Sequence, residues 1–183
     1  MVITEKRFLI DASFIVDQVH KTFLGSPLIT VQGKDHTFLF GFVRDLLRLR
    51  RNLGIGAGAI VLGKEVCSTI SHDEVLTLAV ILSELKIPHV HDPLNPALNI
   101  IGAMRNAFTH IVTTDEAFLQ FCADQIVVLR RSVKQLEWDW VSSDLAEKRL
   151  GIVPDKIPVY LALTDQSSSS VLTNKQAIRL VEI

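Results

Sequence analysis

Several features are scarce in this chain, and each scarcity removes a class of function. No stretch of eighteen or more apolar residues occurs, so no membrane-spanning helix is expected. The opening residues MVITEKRFLIDAS lack the basic head, long apolar run and small-residue cleavage site of a secretory signal. Only two cysteines are present, Cys67 and Cys122, without metal-motif spacing. They read as two reduced, buried thiols of a cytoplasmic protein. Net charge is also scarce, at −1, so no global basic field draws nucleic acid. Any such contact has to come from a local patch.

Apolar residues, by contrast, are plentiful. They make up 48% of 183 residues, enough for one domain, residues 1–183, with a real core. Five short runs rich in Val, Ile or Phe read as strands: Phe8–Asp11, Ala59–Leu62, Pro88–His91, His110–Thr113 and Gln125–Leu129. Segments of helical period lie between and after them. Thr37 to Leu53 places Leu39, Phe42, Val43, Leu46, Leu47 and Leu53 on one side and ends at Gly54. Ser71 to Lys86 opens on Ser71-His72-Asp73-Glu74, a capping box in which Ser71 and Glu74 satisfy each other's exposed N–H groups. Ala97 to Phe108, Asp115 to Ala123 and Ser143 to Leu150 complete the set, the last stopped by Gly151. Alternating strands and helices predict an α/β fold, a three-layer α/β/α arrangement around a mainly parallel, twisted, five-stranded sheet.

In such sheets, reactive groups gather at the carboxyl ends of the strands. Those ends carry Asp11, Gly63, Asp92 and Thr114-Asp115. Asp11 and Asp115 form the germ of a divalent-metal site, because Mg²⁺ takes oxygen ligands and two-metal hydrolysis needs clustered carboxylates. Asp115 is equally well placed to cap the helix that follows it.

The order of motifs resembles the 5′–3′ exonuclease domain of bacterial DNA polymerase I and its flap-endonuclease relatives, in the 5′-nuclease (PIN-like) superfamily. Five stretches carry the likeness across nearly the whole chain: FLIDASFIVDQVH, HTFLFGFVRDLLRL, NPALNIIGAMRNA, HIVTTDEAFLQFCADQIVVL and VYLALTDQSSSSVLTNKQAIRLV. The resemblance implies the three-layer fold and a Mg²⁺- or Mn²⁺-dependent phosphodiester hydrolase, with Asp11 as a metal ligand. It also exposes departures. The family's second-strand Asp falls on Gly63, and its Glu-x-Asp-Asp acids fall on Pro96, Leu98 and Asn99. In its Asp-x-Asp pair, Asp115 is kept and the second acid is Ala117. In its last acidic segment Asp165 stands in for one acid. The family's phosphate-gripping insertion is largely missing between Leu62 and Pro88. Its duplex-binding helix–hairpin–helix survives only as a truncated remnant at 164–183, with Val171-Leu172-Thr173 where Gly-Ile-Gly belongs.

A local basic patch is available. Arg44, Arg48 and Arg51 recur at helical spacing, with Arg50 beside them, and can hold phosphates without reading sequence. Asp45 interrupts the stripe, which also reads as an ordinary solvated face. His89 and His91 share one side of a strand. Trp138 and Trp140 share a face that either stacks bases or lids the sheet.

The expected function is a degenerate 5′-nuclease-like domain. It binds nucleic acid, DNA ahead of RNA, or a replication or repair protein, with weak or no cleavage. Its candidate catalytic and metal residues are Asp11, Asp115 and Asp165. Mg²⁺ or Mn²⁺ is expected to bind weakly or not at all. The alternatives are a compact active nuclease on single-stranded DNA or RNA, and a protein-interaction module without nucleic acid.

Overall fold

Phe8, Leu9, Ile10 and Asp11 are all buried, as are Ala59 to Leu62. Strands buried without alternation belong to a parallel sheet covered on both faces. A computed structural model describes residues 5–23, 30–130 and 137–165. The chain divides into two compact units, Met1–Val112 and Thr113–Ile183.

The first unit is built on four parallel strands: β1 (Arg7–Asp11), β4 (Ala57–Leu62), β5 (His89–His91) and β6 (His110–Thr113). Their order is β5-β4-β1-β6. The register pairs Ile10 with Ile60 and Val112, and Leu62 with His91. From β1 the chain steps outward to β4 and β5, then returns to β6 on the other side of β1. That reversal puts the end of β1 at the topological switch point, where α/β sheets bind ligands.

Helices α1 (Ser13–Phe23), α2 (Thr37–Leu53), α3 (Lys64–Thr69), α4 (His72–Glu84) and α5 (Ala97–Met104) connect these strands. Helix α2 buries Leu39, Phe42, Leu46 and Leu49, a single stripe at helical period. It ends on Gly54, whose φ of 64° closes the last turn in the left-handed region. Leu47 departs from the predicted apolar side and is 43% exposed. The Ser71–Glu74 capping box opens α4 as expected, each residue's side chain accepting the other's backbone N–H. A short hairpin, β2 (Thr30–Val31) with β3 (Lys34–Asp35), precedes α2.

The second unit holds the fifth predicted strand, β7 (Ile126–Arg130), paired antiparallel with β8 (Trp138–Val141). Strand β8 carries Trp138 and Trp140 and makes a sixth long strand where five were expected; both tryptophans belong to a sheet strand. The expected helix from Asp115 is a 3₁₀ helix, Glu116–Phe121. Helices α6 (Ser143–Leu150) and α7 (Ile157–Asp165) follow. Arg149 of α6 bridges Glu116 at 2.6 Å and Asp139 at 3.4 Å, tying the 3₁₀ helix to β8. Cys67 and Cys122 are free thiols, half-buried and buried; burial pushes the Cys122 thiol up to about 11.

Candidate functional site

At the switch point Asp11 is only 2% exposed. Its Oδ1 accepts the N–H of Ser13 at 3.0 Å, so the carboxylate closes the turn from β1 into α1. The N–H of Ala12 is donated sideways to the carbonyl of Val61 on β4. Strand pairing thus brings the ends of β1, β4 and β5 into one row, with Asp11, Gly63 and Asp92 just at or beyond their last residues.

Gly63 occupies the middle of that row, and space dictates its identity. Its φ of −80° suits any residue. A Cβ at this position would lie 2.5 Å from the Ala97 nitrogen, 2.9 Å from the Ala97 Cα and 2.9 Å from Glu65 Oε2. The start of α5 is pressed against β4's exit and held there by two contacts. Glu65 Oε2 accepts the Ala97 N–H at 3.0 Å, and the Lys64 N–H donates to the Asn95 carbonyl at 2.9 Å. Glu65 therefore serves as a cap for α5, satisfying one of its exposed N–H groups with a charge of the favourable sign. Sequence reading missed this role because Glu65 and Ala97 are 32 residues apart.

Asp92 is occupied in the same manner. Its Oδ1 accepts the N–H groups of Leu94 and Asn95, and its Oδ2 accepts the Asn95 side-chain amide at 2.8 Å. The Asn95 amide, then these backbone donors, hold the Asp92 carboxyl below its ordinary range. Half-buried His89 turns its Nδ1 to the Ile87 carbonyl at 3.1 Å.

Asp115 belongs to the second unit. It is exposed, and its Oδ1 accepts the Ala117 N–H at 2.8 Å while its own N–H donates to Thr113 Oγ1. This is the helix-capping role that its position allows. Asp165 closes α7, and its side chain lies outside the described residues, as does the helix–hairpin–helix remnant beyond 165. The positions that the family fills with acids are Gly63, Pro96 at the N-cap of α5, Leu98 and Asn99 within α5, and Ala117. Among the described residues, no cluster of three or more His, Cys, Asp or Glu side chains could hold a metal ion. Among the described residues, the donors fall short of the several converging carboxylates that a two-metal centre needs.

The arginine stripe of α2 is also altered by its surroundings. Arg44 is half-buried: its Nε donates to Asp45 Oδ1 at 2.8 Å, and its guanidinium lies 5.0 Å from the centre of the Phe23 ring. The Asp45 bond raises the Arg44 pKa above its ordinary value. Asp45 itself is 8% exposed and takes a further bond from Gln18. Arg44 thus serves the packing of α1 on α2. Arg48 and Arg51 remain exposed, and half-exposed Arg50 reaches the Gly56 carbonyl at 3.4 Å.

No protein-family profile matches the chain, and no curated protein sequence does. Solved structures do. The catalytic core of Rad2 in complex with DNA substrate aligns with a TM-score of 0.66 at 16% identity, over 98% of this chain and 62% of that one. A second such complex gives 0.65 at 16%, and a third 0.62 at 19%. The chain spans about three fifths of the length of these structures. At such identities the likeness speaks for architecture alone: the chain shares the α/β, PIN-like fold of these catalytic cores.

Proposed function

We propose that this is a 5′-nuclease-like domain that has given up efficient cleavage and binds nucleic acid, DNA in preference to RNA. One observation carries the reading. The place for a second-strand acid beside Asp11 is filled by the backbone of Ala97, held there by Glu65. A centre of this fold that merely lacked one carboxylate would leave room for it. Here the start of α5 occupies that room, and Asp92 and Asp115 are engaged in local turns and caps. Losing charge-stabilising groups from such a centre costs orders of magnitude each in rate.

Binding is assigned to Arg48 and Arg51, the exposed pair on α2, with Arg44 in support of the helix rather than of the ligand. Asp11, Asp115 and Asp165 are the surviving acids through which any residual Mg²⁺ or Mn²⁺ affinity would run. That Rad2 structures hold a DNA substrate is consistent with the choice of DNA.

The test is a cleavage assay on flap, single-stranded DNA and RNA substrates with Mg²⁺ or Mn²⁺, run beside an Asp11→Asn, Asp115→Asn double variant. The expected result is no metal-dependent cleavage above the double variant. Binding by the wild-type chain should be retained and should weaken in Arg48→Ala, Arg51→Ala. Metal-dependent cleavage that disappears in the double variant would replace this reading with that of a compact active nuclease.

A further inference from the structure

Helix α2 presents more than arginines to solvent. Phe40 is 49% exposed and Leu47 43%, and these two residues lie seven apart on one side of the helix. At 100° per residue, Phe40, Leu47 and Arg51 fall within about 40° of one another, and Arg48 flanks them. The outer face of α2 is therefore an apolar strip with a basic border. Backbone phosphates require the arginines but have no use for an exposed phenylalanine and leucine.

Helix α4 carries the counterpart. Leu76 is 46% exposed and Val80 61%, one turn apart, while Val75, Leu78 and Leu82 face the core. Asp73 and Glu84 are exposed and fall on one side of the Leu76–Val80 strip at helical spacing. The outer face of α4 is thus an apolar strip with an acidic border. The first unit bears two solvent-facing apolar helix strips of opposite border charge.

We infer that these faces bind each other between copies: the Phe40–Leu47–Arg48–Arg51 face of one chain docks on the Leu76–Val80–Asp73–Glu84 face of a second copy. Apolar side chains at the centre exclude water, and the opposed borders fix orientation and partner choice. Because the two faces differ, the contact is heterologous and leaves one free face of each kind on a dimer, so assembly proceeds head to tail. Two helix faces bury less than a standard interface, so the association is weak and dynamic. Arg48 and Arg51 are shared with the proposed nucleic-acid contact, so nucleic acid and a second copy compete for α2. The inference itself stands on the exposed apolar side chains and the border charges, and its test omits nucleic acid.

The experiment is sedimentation velocity on the full chain from about 5 to about 500 µM, at low salt and at about 0.5 M salt. The wild-type chain should grow beyond a dimer as concentration rises, and less so at high salt. Leu47→Glu breaks the α2 face and leaves α4 intact; Val80→Arg does the reverse. Each alone should stay monomeric, and an equimolar mixture should form a dimer and stop there, because each variant keeps the face that the other lacks. Both substituted positions are exposed, and circular dichroism checks that each variant is folded. If either fails that check, the pair Phe40→Glu and Leu76→Glu replaces it; both altered faces are then acidic and cannot pair, so a dimer is again expected only on mixing. A wild-type chain monomeric throughout overturns the inference. So does self-association by either folded variant alone, which would mean like faces pairing with like. Self-association in this experiment beside no DNA binding by the wild-type chain in the separate binding assay would refute the nucleic-acid reading and leave this one standing.

Discussion

Single residues here carry contacts that their side-chain type alone would not disclose. Gly63 is the clearest case, since its backbone angles admit any residue and only the Ala97 backbone forbids a side chain. Gly63→Ala should lower stability by about 1–3 kcal/mol, the usual cost of overpacking, and Gly63→Asp by at least as much. Urea midpoints at constant slope measure it. An aspartate accepted at no cost would mean that the room for an acid had never been lost. His110 gives a pH signature. It is 5% exposed, stacks on Phe8 with ring centres 4.7 Å apart, and meets Thr109 Oγ1 at 2.7 Å. Burial, then the nearby Lys6 charge, pushes its pKa below the ordinary imidazole value of 6.5. The folded chain therefore favours the neutral ring. Above 6.5 both states are neutral and this contribution is fully present. As pH falls below 6.5 the unfolded chain takes up the proton first, and stability declines until pH passes the folded value. The melting temperature should fall on acidification through that window, and His110→Phe, which keeps a ring against Phe8, should flatten the fall.

Among the elements, α5 depends most on a distant residue. Its N-cap is Pro96, whose ring carries no hydrogen-bond acceptor, and Glu65 supplies the missing acceptor from α3. Glu65→Ala should cost about 1 kcal/mol, as loss of a cap does, and speed amide exchange at the start of α5. Glu65→Gln keeps an acceptor oxygen and should forfeit only the charge–dipole part, about 0.3–1 kcal/mol. Equal losses in the two variants would assign the effect to charge alone. Elements whose logic is local were legible in sequence: the extent of α2 from its apolar period and Gly54, the start of α4 from Ser71 and Glu74, and the buried parallel strands β1, β4 and β6 from their apolar runs. Elements whose logic is distant were not. Strand β8 is only four residues long and is defined by pairing with β7; the 3₁₀ helix after Asp115 is too short for a period to show. Leu47 counts as core in any apolar tally, yet it faces outward because Leu46 and Leu49 already fill the inner stripe. The site divides in the same way. Absent acids can be read from letters, but the closure of Gly63 by Ala97 cannot, and neither can the diversion of Arg44 to Asp45 and Phe23.

For the whole molecule, charge sets what nucleic-acid binding can look like. A net charge of −1 supplies no long-range attraction, so the affinity of the proposed contact rests on the few arginines that reach phosphates. Counterion release then makes the salt dependence a count of those arginines. Arg44 is held by a nearly buried Asp45 at 2.8 Å and contributes little net charge outward. With Arg48 and Arg51 alone in contact, log K should fall with log salt at a slope of about −1.4 on single-stranded DNA. Had Arg44 joined them, the slope would be about −2.1. Fluorescence anisotropy with a labelled oligonucleotide across a salt series, at concentrations where the chain is monomeric, measures it. Arg48→Ala and Arg51→Ala should each make the slope shallower by about 0.7, and Arg44→Ala should leave it unchanged. Arg44→Ala should instead lower stability, because it strands the Asp45 carboxylate between α1 and α2. A steep slope that survives loss of both Arg48 and Arg51 would move the contact off α2, and one that Arg44→Ala alone reduces would mean that Asp45 releases its partner when nucleic acid arrives.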